Sequence, residues 1–144
     1  MKKKSIVALR LSAAILSLIL LSGLVSCKEE KLPDLWADAT YTEDKNFGDG
    51  ETTVVVEVVA GDKSVSFTIK TDKETLGDAL LEHNLIAGDA GSYGLYVKYV
   101  NGIFADYDIN GAYWGFFRDG EYMMTGIDAT QISDGEHYEL VYTK

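Results

Sequence analysis

The sequence has 144 residues, a formal net charge of −10 and a single cysteine. A chain of this length fits one domain with a modest core. Its negative charge repels nucleic acid and anionic lipid head groups, which argues against a nucleic-acid partner. A single cysteine excludes a disulfide within the chain, so we expect stability to come from packing alone.

The first 26 residues have the pattern of a secretory signal peptide. Lys2, Lys3, Lys4 and Arg10 make the start basic, and an apolar run follows up to Leu24. The run is too short for a comfortable bilayer span, which needs about 20 apolar residues. It ends at Leu24-Val25-Ser26-Cys27, which resembles the lipobox of bacterial lipoproteins. The alternative is a signal peptide that contains an accidental cysteine.

The lipobox resemblance implies that the chain is cut before Cys27 and that the thiol carries a diacylglycerol with palmitate-type chains. Residues 27–144 would then be anchored by lipid at the extracytoplasmic face of the cell membrane. Cleavage would remove four basic and no acidic residues, leaving 9 basic and 23 acidic side chains, a balance of −14. In a cell with two membranes the sequence leaves open which of them carries the anchor.

Residues 27–50 are predicted to be the lipidated cysteine followed by a tether and lead-in. Residues 28–34 are charged and contain the only proline, and residues 36–41 are expected to form a short strand or an extended segment. Residues 44–51 superficially resemble a calcium loop. A glycine stands where an EF-hand needs an oxygen ligand, so a solvated loop is the better interpretation and no metal site is predicted.

Residues 51–144 are predicted to form the folded domain. Alternating apolar residues over 53–59 and 64–70, joined at Gly61-Asp62, predict a β-hairpin. Thr75-Leu76-Gly77-Asp78 is a capping-box pattern that predicts a helix ending near Asn84. Further strands are predicted at Leu95–Val100, Ile103–Tyr107, Ala112–Arg118, Glu121–Met124 and His137–Thr143.

The order of these elements predicts the fold class. A hairpin, one helix and then several strands are typical of an α+β domain in which a helix packs on a sheet. Asn101-Gly102 and Asp119-Gly120 are strong signals for tight hairpin turns. We therefore expect one helix on a mixed, mostly antiparallel sheet with hairpins, in a β-grasp-like arrangement.

The sequence contains no recognisable catalytic motif, so we expect a binding protein rather than an enzyme. The only histidines, His83 and His137, lie on a predicted helix and strand without a nucleophile nearby in sequence. Aromatic residues concentrate between positions 93 and 122. In a strand, the side chains of Trp114 and Phe116 point to one face, and those of the residues before and after them point to the other. One of these faces must be core, and the other is either covered or an exposed binding patch.

A series of motifs runs through the second half of the chain. In their order and spacing they resemble the bacterial family DUF4430, which is similar to the C-terminal β-domain of transcobalamin and intrinsic factor. The motifs that carry this resemblance are Thr75-Leu76-Gly77-Asp78-Ala79-Leu80, Ser92-Tyr93-Gly94-Leu95, Asn101-Gly102-Ile103, Tyr113-Trp114-Gly115-Phe116, Gly126-Ile127 and Tyr138-Glu139-Leu140-Val141-Tyr142.

The resemblance implies a ligand-binding domain with a corrinoid, cobalamin, as the candidate ligand. Carried over by position, the ligand contacts are Ser92, Tyr93, Gly94, Leu95, Trp114 and Phe116. The vitamin carriers clamp cobalamin against a second, helical domain, for which this chain has no room. We therefore expect one-sided binding, with a possible envelope transporter or surface protein as partner. The alternative is a cell-surface protein–protein interaction or adhesive module with no small-molecule ligand.

Overall fold

The computed structural model describes residues 33–144, of which Asp34–Lys144 form one compact unit. Cys27 and the predicted signal peptide lie outside the described residues. Within the described residues, no helix has both the length and the apolar character needed to cross a membrane. The helices are η1 (Leu35–Asp38), α1 (Leu76–Glu82), α2 (Tyr107–Asn110) and η2 (Ile127–Ala129), where η denotes a 3-10 helix; the strands are β1 (Lys45–Phe47), β2 (Thr52–Ala60), β3 (Lys63–Thr71), β4 (Ile86–Gly91), β5 (Gly94–Val100), β6 (Ile103–Phe104), β7 (Tyr113–Arg118), β8 (Glu121–Tyr122) and β9 (His137–Thr143).

Six strands form a mixed sheet in the order β1-β3-β2-β9-β7-β8. The central pair, β2 and β9, is parallel, as is β1 with β3, and the other pairs are antiparallel. The hairpin predicted at Gly61-Asp62 is present as β2 and β3. One main helix, α1, together with a mixed sheet confirms the predicted α+β class.

Three further strands form a separate antiparallel sheet in the order β4-β5-β6. No sequence pattern predicted β4, and β6 stops at Phe104, short of the predicted Tyr107. The register between β4 and β5 shifts between Ala87 and Gly88, so the pairing passes over Lys98. Tyr96 and Tyr99 are three residues apart, so in a regular strand their side chains would point to opposite faces. The bulge changes the direction of the side chains that follow it, and both tyrosines are exposed.

The helix α1 begins where the capping box predicted. The hydroxyl of Thr75 accepts a hydrogen bond from the backbone N–H of Asp78 at 3.2 Å. Leu76, Ala79 and Leu80 are fully buried, and their helical spacing places them on one face of the helix. They join a single core with the inward residues of the large sheet, among them Val56, Phe67 and Tyr138.

The segment expected as a lead-in is part of the compact unit from Asp34 onwards. Residues 35–38 form a 3-10 helix rather than a strand, because the carboxylate of Asp34 caps it by accepting from the N–H of Trp36 at 3.0 Å. The Trp36 ring is buried, and its Nε1–H donates to the carbonyl of Ala60 at 2.8 Å. Residues 45–47, expected as loop, pair with β3 instead.

Candidate functional site

The first predicted ligand-contact motif lies at the tip of the hairpin between β4 and β5. Ser92 and Tyr93 form the turn between Gly91 and Gly94, which are register partners. Ser92 is exposed and Tyr93 is 101% exposed, so the whole ring projects into solvent. Leu95 is half-buried and packs against the core. Leu95 therefore anchors the motif to the core, while the Tyr93 ring is exposed to solvent.

The tip is held in place by Asp128, a residue that no sequence motif indicated. Asp128 belongs to η2, and its Oδ2 accepts a hydrogen bond from the N–H of Leu95 at 3.0 Å. Its other carboxylate oxygen, Oδ1, is buried and has no protein partner among the described residues. A buried carboxylate oxygen is stabilised by a hydrogen-bond donor, so this atom is a natural acceptor close to the exposed tip.

Two glycines make the approach of Asp128 possible. Gly94 has φ +105°, a conformation that side-chain-bearing residues rarely adopt, and a Cβ there would lie 2.8 Å from Asp128 Oδ1. On the other side, a Cβ at Gly77 of α1 would lie 2.7 Å from the Asp128 Cα. The 3-10 helix η2 is thus packed between α1 and the hairpin tip, which fixes the backbone beneath Tyr93.

The loop that leads into η2 adds further surface next to the tip. A Cβ at Gly126 would lie 3.9 Å from the Tyr93 carbonyl oxygen, so the two backbones are neighbours. The loop is ordered by Thr130, whose hydroxyl donates to the Gly126 carbonyl at 2.9 Å. Two residues before Gly126, Met124 is 91% exposed. Tyr93 and Met124 are therefore exposed apolar side chains on adjoining segments.

The second predicted motif lies in the core instead of at the surface. Trp114 and Phe116 are each 9% exposed and point inwards from β7. Trp114 contacts Tyr142 edge-on with ring centroids 5.6 Å apart, and Phe116 stacks on Tyr138 at 5.8 Å. These two side chains therefore belong to the core cluster, whereas the Tyr93 ring at the hairpin tip is exposed to solvent.

A calcium-like arrangement is not formed by residues 44–51. Asp44 accepts a hydrogen bond from the N–H of Ser66 at 2.8 Å, and Glu51 donates its N–H to Asp72 at 3.0 Å, so the segment is tied to β3 and the residues after it. Among residues 33–144, no group of three or more His, Cys, Asp or Glu side chains is arranged to hold a metal ion.

A second exposed surface covers the outer side of the small sheet. It consists of Tyr96, Tyr99, Phe104 and Tyr107, and we call it the tyrosine face. The Tyr99 and Phe104 rings are 5.0 Å apart, and the Tyr107 N–H donates to the Tyr96 hydroxyl at 3.3 Å. The four residues thus form two contacting pairs, and the three tyrosines are between 42% and 67% exposed.

Charged residues flank the tyrosine face. The Lys98 ammonium lies 2.6 Å from a carboxylate oxygen of Asp89 and 2.9 Å from one of Asp106. The hydrogen bonds to Asp89 and Asp106 raise the pKa of Lys98 above its ordinary range. The hydrogen bond from Lys98 lowers the pKa of Asp106, whose side chain is buried. Lys98 and Asp106 thus form an ion pair that is charged around neutral pH.

Comparison with known proteins places the chain in a family. A structure of a candidate metal-binding protein from Ruminococcus gnavus ATCC 29149 is 35% identical to it, with a TM-score of 0.62. The match covers 65% of this chain and 98% of that one. The chain belongs to the family of this Ruminococcus gnavus protein. No protein-family model matches the chain, so the DUF4430 resemblance stays a prediction, and no curated protein matches it either.

A second solved structure has a weaker likeness. Haptocorrin in complex with Cbi is 19% identical, with a TM-score of 0.49, and the match covers 69% of this chain. It covers 27% of haptocorrin, so this chain corresponds to about a quarter of that protein's length. At this identity and score the likeness carries no argument about what this chain binds.

Proposed function

We propose that this protein is a lipid-anchored, extracytoplasmic binding protein that takes a corrinoid at the tip of the β4–β5 hairpin. The observation that carries the proposal is the tip itself. Its backbone is fixed through the hydrogen bond from Leu95 to Asp128, and yet the Tyr93 ring is completely exposed. An exposed aromatic side chain on a rigid base loses little conformational entropy on binding, which favours a role in recognition.

The chemistry of the tip suits a corrinoid. A corrin ring is large, flat and apolar on its faces, and its rim carries amide groups. Tyr93 and Met124 would contact the apolar face, and the Ser92 hydroxyl with the backbone around Gly94 would bond the amides. A corrinoid carries its cobalt in its own ring, which is compatible with kinship to a candidate metal-binding protein. In this proposal Trp114 and Phe116 support the sheet from the core and do not touch the ligand.

A titration of the full-length protein, in a non-ionic detergent, with cobalamin tests the proposal. We expect a change in the corrin absorption spectrum, and Tyr93→Ala should weaken binding about 2- to 12-fold, since an aromatic contact contributes about 0.5–1.5 kcal/mol. Tyr122→Ala is the matched control, because Tyr122 is 59% exposed but packs on Phe117 of the large sheet. Absence of any spectral change or heat at high micromolar cobalamin would overturn the proposal.

The membrane anchor is tested separately. Cys27→Ser should abolish the incorporation of radiolabelled palmitate and move the protein from the membrane fraction to the medium or periplasm. The matched control is Ser26→Ala, which retains the thiol and a small residue at the expected cut site. Unchanged labelling of the Cys27→Ser variant would contradict the lipoprotein assignment without affecting the corrinoid test.

A further inference from the structure

We infer that the tyrosine face is a docking surface for a basic protein segment, one that presents arginine or lysine side chains. This surface is distinct from the hairpin tip, so the inference does not depend on the proposed corrinoid site. It starts from the bulge at Lys98, which turns Tyr96 and Tyr99 to the same outer side of β5. Without the bulge, strict alternation would direct one of the two rings into the core.

The aromatic residues of the face are held by pairwise contacts. Tyr99 and Phe104 are register partners on β5 and β6, and Tyr96 contacts the first residue of α2 through its hydroxyl. Beyond Tyr107, Ile109 of the same helix is 72% exposed. In soluble domains a cluster of exposed aromatic residues rimmed by polar groups is typical of an interaction surface.

The charges on this face indicate which partner it fits. Asp89 and Asp106 are carboxylates, Lys98 lies between them, and the neighbouring Asp108 is exposed, so the local balance is negative. The chain as a whole has a formal charge of −10. A positively charged segment is therefore attracted from a distance and an acidic one is repelled.

The face already accommodates one ammonium group from its own chain. The Lys98 Nζ lies 5.7 Å from the centroid of the Tyr96 ring while it bonds the two carboxylates. This combination of aromatic ring and carboxylate is the environment that stabilises a cation at a surface. The Asp89 side chain is 71% exposed, so it has open positions for a second cationic donor. Tyr99 and Tyr107 would supply ring faces for it.

Binding of a labelled peptide of alternating arginine and glycine to the full-length protein tests this inference by fluorescence anisotropy. Each ring is expected to contribute a few-fold, so Tyr99→Ala/Tyr107→Ala should raise Kd about 10-fold. Asp89→Asn should raise it as well and reduce its dependence on salt, because one attracting charge is removed. A peptide of alternating glutamate and glycine should not bind.

Tyr122→Ala again serves as the control, since it removes an exposed tyrosine from another surface. The inference is supported if this variant binds as the unaltered protein does while the tyrosine-face variants lose affinity at an unchanged thermal midpoint. It is overturned if all variants bind the arginine peptide equally, which would show unspecific attraction to an acidic protein. It is also overturned if neutral oligosaccharides bind through the same tyrosines and the arginine peptide does not.

Discussion

Gly94→Ala is the substitution that most directly tests how the hairpin tip is held. At φ +105° an alanine is strained, which costs about 1–2 kcal/mol for a left-handed conformation. Its Cβ would also lie 2.8 Å from Asp128 Oδ1, so the carboxylate must move away and the hydrogen bond from Leu95 is lost. A hydrogen bond to a charged group contributes about 1.5–3 kcal/mol, so together with the strain we expect a total destabilisation of about 2.5–5 kcal/mol.

The measurement is urea unfolding followed by the fluorescence of Trp36 and Trp114. Gly120→Ala is the matched control, because Gly120 has φ +79° but nothing within 4 Å of a Cβ there, so it should show the conformational cost alone, about 1–2 kcal/mol. The difference between the two variants then measures the contact with Asp128. Equal destabilisation by both would refute the packing of η2 against the tip.

Two further predictions concern the rest of the compact unit. Trp36→Ala should destabilise the domain by about 3–5 kcal/mol, because it removes a buried ring and leaves the Ala60 carbonyl without its donor; a loss below about 1 kcal/mol in urea unfolding would show that η1 is peripheral. In the Asp106→Asn variant, the free energy of unfolding should decrease less as the pH is lowered. In the folded protein the Asp106 pKa lies below its ordinary value of 3.8. The ionised Asp106 side chain therefore stabilises the fold fully above pH 3.8, and this contribution is lost as the pH falls through the lowered folded-state pKa. If the urea midpoint of the variant depended on pH as that of the unaltered protein does, this prediction would be contradicted.

Local signals were sufficient for most of the elements. The hairpin of β2 and β3 follows from alternating apolar residues, and the start of α1 follows from Thr75 and Asp78, because both depend on residues close in sequence. The sheet edges could not be predicted in this way. Residues 45–47 form a strand only because β3 offers a parallel partner, and the small-residue run of β4, from Ile86 to Gly91, has no strand pattern of its own.

The sequence by itself determined the α+β class and the tight turns at Asn101-Gly102 and Asp119-Gly120, since each depends on local backbone preferences and side-chain periodicity. Only the tertiary structure decided which face of β7 is core, and it buried Trp114 and Phe116. Only the tertiary structure brought Asp128 to the hairpin tip, since Asp128 lies 33 residues from its partner Leu95 in the sequence. Contacts between residues distant in sequence depend on how sheets and helices pack together, and a one-dimensional pattern does not contain that information.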